Sequence, residues 1–196
     1  MIPSATFSAD DHLTRIVGLM DVVATFYRAN SSNSPKRMGI SRGDVTELFR
    51  SLNQHHVQCL LVGGMATALH GYVRSTEDLD LWIRVGEANK TNLIVALLEN
   101  DVAGAELLKG VPLLFGWSSV VAGKRGFTLD MGHALKAFSD ADFDACYARA
   151  LDASFDGIPF KVIHLNDLIT EKQATGRLKD LSDVEELTKL RNRNTD

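Results

Sequence analysis

A chain of 196 residues, 45% hydrophobic and 23% charged, can bury one core, or one core with a small appended lobe. Its formal net charge of -4 excludes a globally basic nucleic-acid binder and leaves any polynucleotide contact to a local patch. The opening MIPSATFSADDHL lacks the basic and apolar regions of a signal peptide. No apolar stretch approaches the ~20 residues that span a bilayer, so a soluble cytoplasmic protein without membrane contact is expected.

In chain order, Leu13, Ile16, Val17, Met20 and Val23 recur at helical spacing, which predicts an amphipathic helix over Asp10 to Tyr27. The Ser/Asn/Gly/Pro-rich RANSSNSPKRMGISRG then reads as a linker, making residues 1–43 an appendage to a main domain of residues 44–190, with a tail of 191–196. Ser41 or Asp44 can cap a helix running to about His55. Val57 to Val62 is a short apolar run ending at Gly63 and Gly64, the pattern of a buried strand entering a turn. A helix Met65 to His70, a strand Leu79 to Val85 and a helix Ala88 to Glu99 follow. Strands are expected at Val111 to Ser118 and Phe127 to Met131, joined through VAGKRG. Asp140 to Leu151 reads as a helix, and Ile158 to Ile163 as a strand after the Asp156-Gly157 turn. Helices at Leu165 to Thr175 and Leu181 to Lys189 close the chain. This order predicts an α/β fold, a mixed β-sheet flanked by helices.

The stretch Leu60 to Ile83, LLVGGMATALHGYVRSTEDLDLWI, carries the chemistry. Gly63 and Gly64 end a strand and open a helix, so backbone N–H groups can approach a phosphate with no Cβ in the way. Asp78 and Asp80 lie two apart on a strand, and period-two geometry points both carboxylates to one face while Leu79 and Leu81 turn inward. Paired carboxylates beside a phosphate turn suit Mg²⁺ or Mn²⁺, hard cations held by carboxylate and phosphate oxygens. Asp-x-Asp alone also occurs on ordinary solvated surfaces. His70 beside Gly71 reads as a helix-end packing residue, His55, His56 and His133 have no zinc-like partners, and Cys59 and Cys146 sit in no ligand spacing and read as buried thiols.

The strand ending in Gly-Gly, the helix and the Asp-x-Asp strand resemble the signature of the DNA polymerase β-like nucleotidyltransferase superfamily. The form Arg74, Thr76, Asp78, Asp80 is most similar to the bacterial branch that includes AbiEii-type toxins. Glu171 to Leu187, EKQATGRLKDLSDVEEL, resembles the Lys-x-x-x-Gly-Arg-x-Lys-Asp-x-x-Asp helix pair closing many of those proteins. The resemblance implies a nucleotidyltransferase core in which Asp78, Asp80 and a third carboxylate, Asp130 in GFTLDMGHA, hold the metal and carry catalysis. It implies nucleotide contacts from Gly63, Gly64, Arg74, Thr76, Lys172, Arg177 and Lys179. The expected substrate is an NTP, the acceptor an RNA such as tRNA, a protein or a small molecule, and an antitoxin a further partner. Each residue has a plainer alternative: Asp130 can simply end a strand, Arg74 can brace the Asp pair, and Lys172, Arg177 and Lys179 can be a solvated helix face. The competing function is a catalytically degenerate fold serving as a binding module. No G-x-G-x-x-G follows any expected strand, which argues against a dinucleotide site.

Overall fold

The computed structural model describes residues 7–8, 40–76, 78–110 and 117–193. The expected helix Asp10 to Tyr27 and its linker fall outside the described residues, as do positions 111–116 of the strand expected from Val111. Strand β1 (Phe7–Ser8), β2 (Cys59–Val62), β3 (Asp78–Ile83), β4 (Trp117–Ala122), β5 (Phe127–Gly132), β6 (Leu151–Phe155) and β7 (Ile158–Val162) form one sheet in the order β1-β6-β7-β2-β3-β5-β4. It is a mixed α/β sheet: β3 and β5 pair in parallel, as do β2 and β7, while β2–β3, β4–β5 and β6–β7 are antiparallel.

Helix α1 (Arg42–Gln54) starts where Ser41 caps it, the Ser41 hydroxyl accepting from the Asp44 backbone N–H at 3.2 Å. It buries Val45, Leu48, Phe49 and Leu52 and packs against β7 and α3 (Glu87–Glu99), with Phe49 stacked on Phe160 at 4.5 Å. The short α2 (Gly63–Leu69) packs on β3 and β2. Trp82 is fully buried, its ring edge-on to Phe143 at 5.2 Å, and its indole N–H donates to the His133 carbonyl at 2.9 Å, as a buried indole requires.

The helix expected over Asp140 to Leu151 ends earlier. A 3-10 turn at Asp140–Asp142 leads into α4 (Phe143–Arg149), and Ala150 turns extended so that Leu151 opens β6. The reason is LDASF: Ala153 and Phe155 turn inward and Asp152 outward, a period of two. This strand pairs with β7 around Asp156 and Gly157, both at positive φ, as a two-residue hairpin turn requires. At the C-terminal end, α5 (Leu165–Thr175) stops at Gly176, whose φ of 68 is left-handed. Helix α6 (Leu178–Arg193) then folds back on α5, and α5 reaches α2.

Candidate active site

Alternation along β3 buries Leu79 and Leu81 completely and leaves Asp78 and Asp80 half-buried on the opposite face. The parallel register of β5 sets Asp130 directly beside Asp80, with Leu129 and Met131 turned into the core. One carboxylate oxygen from each of Asp78, Asp80 and Asp130 lies within 4.8 Å of the other two. Thr76 fixes one member, its hydroxyl donating to Asp78 Oδ1 at 2.9 Å.

The two glycines fit tightly around this cluster. Gly63 follows Val62, the residue paired with Asp80, and has a φ of 65. A Cβ there would run into the Asp80 carboxylate, and one on Gly64 would strike the Thr76 hydroxyl. Only glycine satisfies both the left-handed backbone and the close approach. The Gly64 N–H donates to Asp80, so one of the backbone donors at this turn helps to hold the carboxylate.

Three carboxylates this close repel one another. Burial, with the negative charges of Asp78 and Asp130 added, pushes the Asp80 carboxyl from its ordinary 3.8 up to about 7, against the opposing pull of the Gly64 N–H and the Lys172 charge. Asp130 Oδ1 is buried with no hydrogen-bond partner. A buried carboxylate oxygen without a donor is costly unless a cation meets it. These hard oxygen donors therefore fit a divalent metal.

An ion-pair network built on two buried aspartates adjoins the triad. Arg74 grips Asp183 through two nitrogens, each at 2.7 Å. Lys172 Nζ lies 2.7 Å from Asp183 and 3.2 Å from Asp180, and Arg177 Nε donates to Asp180 at 2.5 Å. Burial raises both aspartates, but the hydrogen bonds from Arg177 and Lys172 to Asp180, and from Arg74 and Lys172 to Asp183, outweigh it and hold both below the ordinary carboxylate range. Three cations against two anions give the network a net charge of about +1, facing a triad of opposite sign.

Of the residues singled out in the sequence, Gly63, Gly64, Thr76, Asp78, Asp80 and Asp130 converge at one spot. Arg74 and Lys172 are committed to the adjoining network, Lys172 with only 5% of its side chain exposed. Arg177 keeps 62% of its side chain exposed and feels the charges of Asp80 and Asp78. Lys179 is exposed on the first turn of α6. Asp180 and Asp183 were given no role from sequence, although their three-residue spacing on a helix already places them on one face. Glu171 was also missed: its carboxylate accepts the backbone N–H groups of Lys136 and Ala137, at 3.0 and 2.8 Å, and so pins the loop after β5.

No protein-family model matches the chain, and no curated protein does. Solved structures similar to it include an antigenic nucleotidyltransferase-like protein from Paracoccidioides brasiliensis, at 19% identity over 76% of this chain and 74% of that one, with a TM-score of 0.46. Another is the antibiotic-resistance factor ANT(2'')-Ia, at 13% identity over 79% of this chain and 90% of that one, with a TM-score of 0.43. These are loose overlaps at low identity. What the site can do follows from its own side chains.

Proposed function

We propose that the protein is a metal-dependent nucleotidyltransferase that moves a nucleoside monophosphate from an NTP to an acceptor hydroxyl and releases pyrophosphate. The observation that carries this reading is the convergence of Asp78, Asp80 and Asp130 beside a turn whose two glycines leave no room for side chains. When bound at these three carboxylates, Mg²⁺ or Mn²⁺ would neutralise charge on the phosphoryl group and on the attacking and leaving oxygens.

The chain's own residues supply the rest. Thr76 holds Asp78 in place, and the Gly64 N–H holds Asp80, so the carboxylates are oriented before substrate arrives. Asp130, on β5, would help to hold the metal on the acceptor side and support deprotonation of the attacking hydroxyl. Gly63 and Gly64 let Asp80 and Thr76 close onto the turn, and Arg177, with Lys179 near it, meets the negative charge of the triphosphate. Lys172 acts on the same anion through its field, since its ammonium is taken by Asp180 and Asp183; Arg74 braces Asp183 from the other side. The Arg-x-Thr-x-Asp-x-Asp pattern and the closing helix pair support a finer reading as the toxin of a toxin–antitoxin pair. Among the described residues no helix is long and apolar enough to cross a membrane.

The test is to incubate purified protein with each α-labelled NTP, Mg²⁺ and total cellular RNA and protein, and to follow the label. Transfer that is lost in Asp78→Asn, with an unchanged circular dichroism spectrum, is the expected result. Metal-dependent NTP binding that survives Asp78→Asn would overturn the reading.

A further inference from the structure

The face of the sheet that carries the triad continues outward onto β4. Ser119 lies opposite Asp130, and Trp117 lies opposite Gly132, so Trp117, Ser119 and Val121 share the triad's face and all three are exposed. Trp117 stands two residues along β4 from Ser119, about 7 Å. Its ring is fixed: the indole N–H donates to the Ala134 carbonyl at 3.0 Å. The ring also lies where a side chain on Gly132 would be, with three of its atoms 2.7 to 2.9 Å from the position of a Cβ there. One face of the indole is therefore backed by main chain, while the residue remains 42% exposed. An aromatic ring that is held rigid, relieved of its only donor and left open to solvent is preorganised for stacking.

Its position says which ligand it serves. Across the sheet the order is β2, β3, β5, β4. The glycine turn follows β2, the triad straddles β3 and β5, and Trp117 is on β4. In-line transfer sets the attacking oxygen opposite the leaving pyrophosphate, so the flank away from the glycine turn belongs to the acceptor. On the nucleotidyltransferase reading above, on which this step rests, we infer that Trp117 is the stacking platform for the terminal base of a single-stranded nucleic-acid acceptor. The ribose of that same nucleotide then presents its hydroxyl toward Asp130. Base stacking on an indole serves any base, because every base has a π-face. A serine or threonine acceptor would bring no ring to this platform.

Fluorescence tests this directly, because the chain has two tryptophans and Trp82 is fully buried. The protein is titrated, with Mg²⁺ and a non-hydrolysable NTP present, with a short single-stranded oligoribonucleotide; Trp117→Phe and Trp117→Ala, which lack the reporting ring, are titrated in parallel, and the affinity of all three is read from the anisotropy of a dye on the oligonucleotide. Quenching in the native protein is expected, with oligonucleotide affinity about ten-fold weaker or more in Trp117→Ala and largely kept in Trp117→Phe. Equal oligonucleotide affinity in all three proteins overturns the inference. So does full quenching by the NTP analogue alone, which would give the ring to the nucleotide donor, or quenching by a hydroxyl-bearing peptide in place of the oligonucleotide. Calorimetry of NTP binding on the same samples separates the two claims. Intact Mg²⁺-dependent NTP binding with Trp117 unquenched by RNA sinks the acceptor platform alone, whereas absent NTP binding sinks the metal-centre reading.

Discussion

Replacing Asp80 by Asn should stabilise the metal-free protein and at the same time remove its response to metal. The carboxyl is raised from 3.8 to about 7 by burial and by Asp78 and Asp130, so the folded state holds its proton more tightly than the unfolded state does. The associated stability is fully present below about pH 4, falls as the pH rises, and is gone once the pH passes through about 7. A shift of about three units corresponds to at most ~4 kcal/mol. Because relaxation and water penetration lessen the cost of a buried charge, about 1 to 2 kcal/mol is the expected gain for Asp80→Asn at pH 8. The Asn Oδ1 can still accept the Gly64 N–H, so that hydrogen bond adds little to the difference. The assay is urea unfolding of both proteins in EDTA at several values between about pH 5 and 8, repeated at pH 8 with excess Mg²⁺. The advantage of Asn should shrink steadily as the pH falls, and Mg²⁺ should stabilise only the native protein. Equal stability in EDTA at pH 8, or equal stabilisation of both proteins by Mg²⁺, would refute the electrostatic account of the triad.

Gly63→Ala should cost at least about 2 kcal/mol, because the left-handed φ of 65 and the Asp80 carboxylate both oppose a Cβ; an unshifted thermal midpoint would contradict this. Asp183→Ala should cost about 3 to 5 kcal/mol in denaturant unfolding, since it strands Arg74 and Lys172 beside a single remaining anion. Removing the exposed partner Glu47 from Arg50 should change stability by less than about 1 kcal/mol. Cys146 is fully buried and its thiol is pushed up to about 11, chiefly by burial, so a thiol reagent at pH 8 should modify it only as fast as the protein unfolds.

The carboxylate pair was legible because its information is local. A strand period of two is enough to aim Asp78 and Asp80 together, and two adjacent glycines mark a turn without side chains. Asp130 needed more, since its place beside Asp80 depends on a parallel pairing between β3 and β5 that no local pattern encodes; its own alternation showed only that it faces away from the core. Lys172 shows the limit most clearly. The resemblance implies a cation facing the nucleotide there, yet two aspartates from the next helix enclose its ammonium, and that competition is a tertiary fact. Strand β6 was hidden because LDASF directly follows a helical run, and five residues of alternation are a weak signal beside it. Trp117 lies at the margin of an expected strand, and nothing in its neighbours announced that Gly132 would make room for it.

The ion-pair network also orders the assembly of the site in time. Asp78, Asp80 and Asp130 leave the ribosome well before Lys172, Arg177, Asp180 and Asp183, and domains complete themselves as synthesis proceeds. A nascent chain that stops short of α5 holds Asp78, Asp80 and Asp130 without the cations that offset them and without the clamp on Arg74. The negative charge of the triad is thus left uncompensated until α5 and α6 are in place.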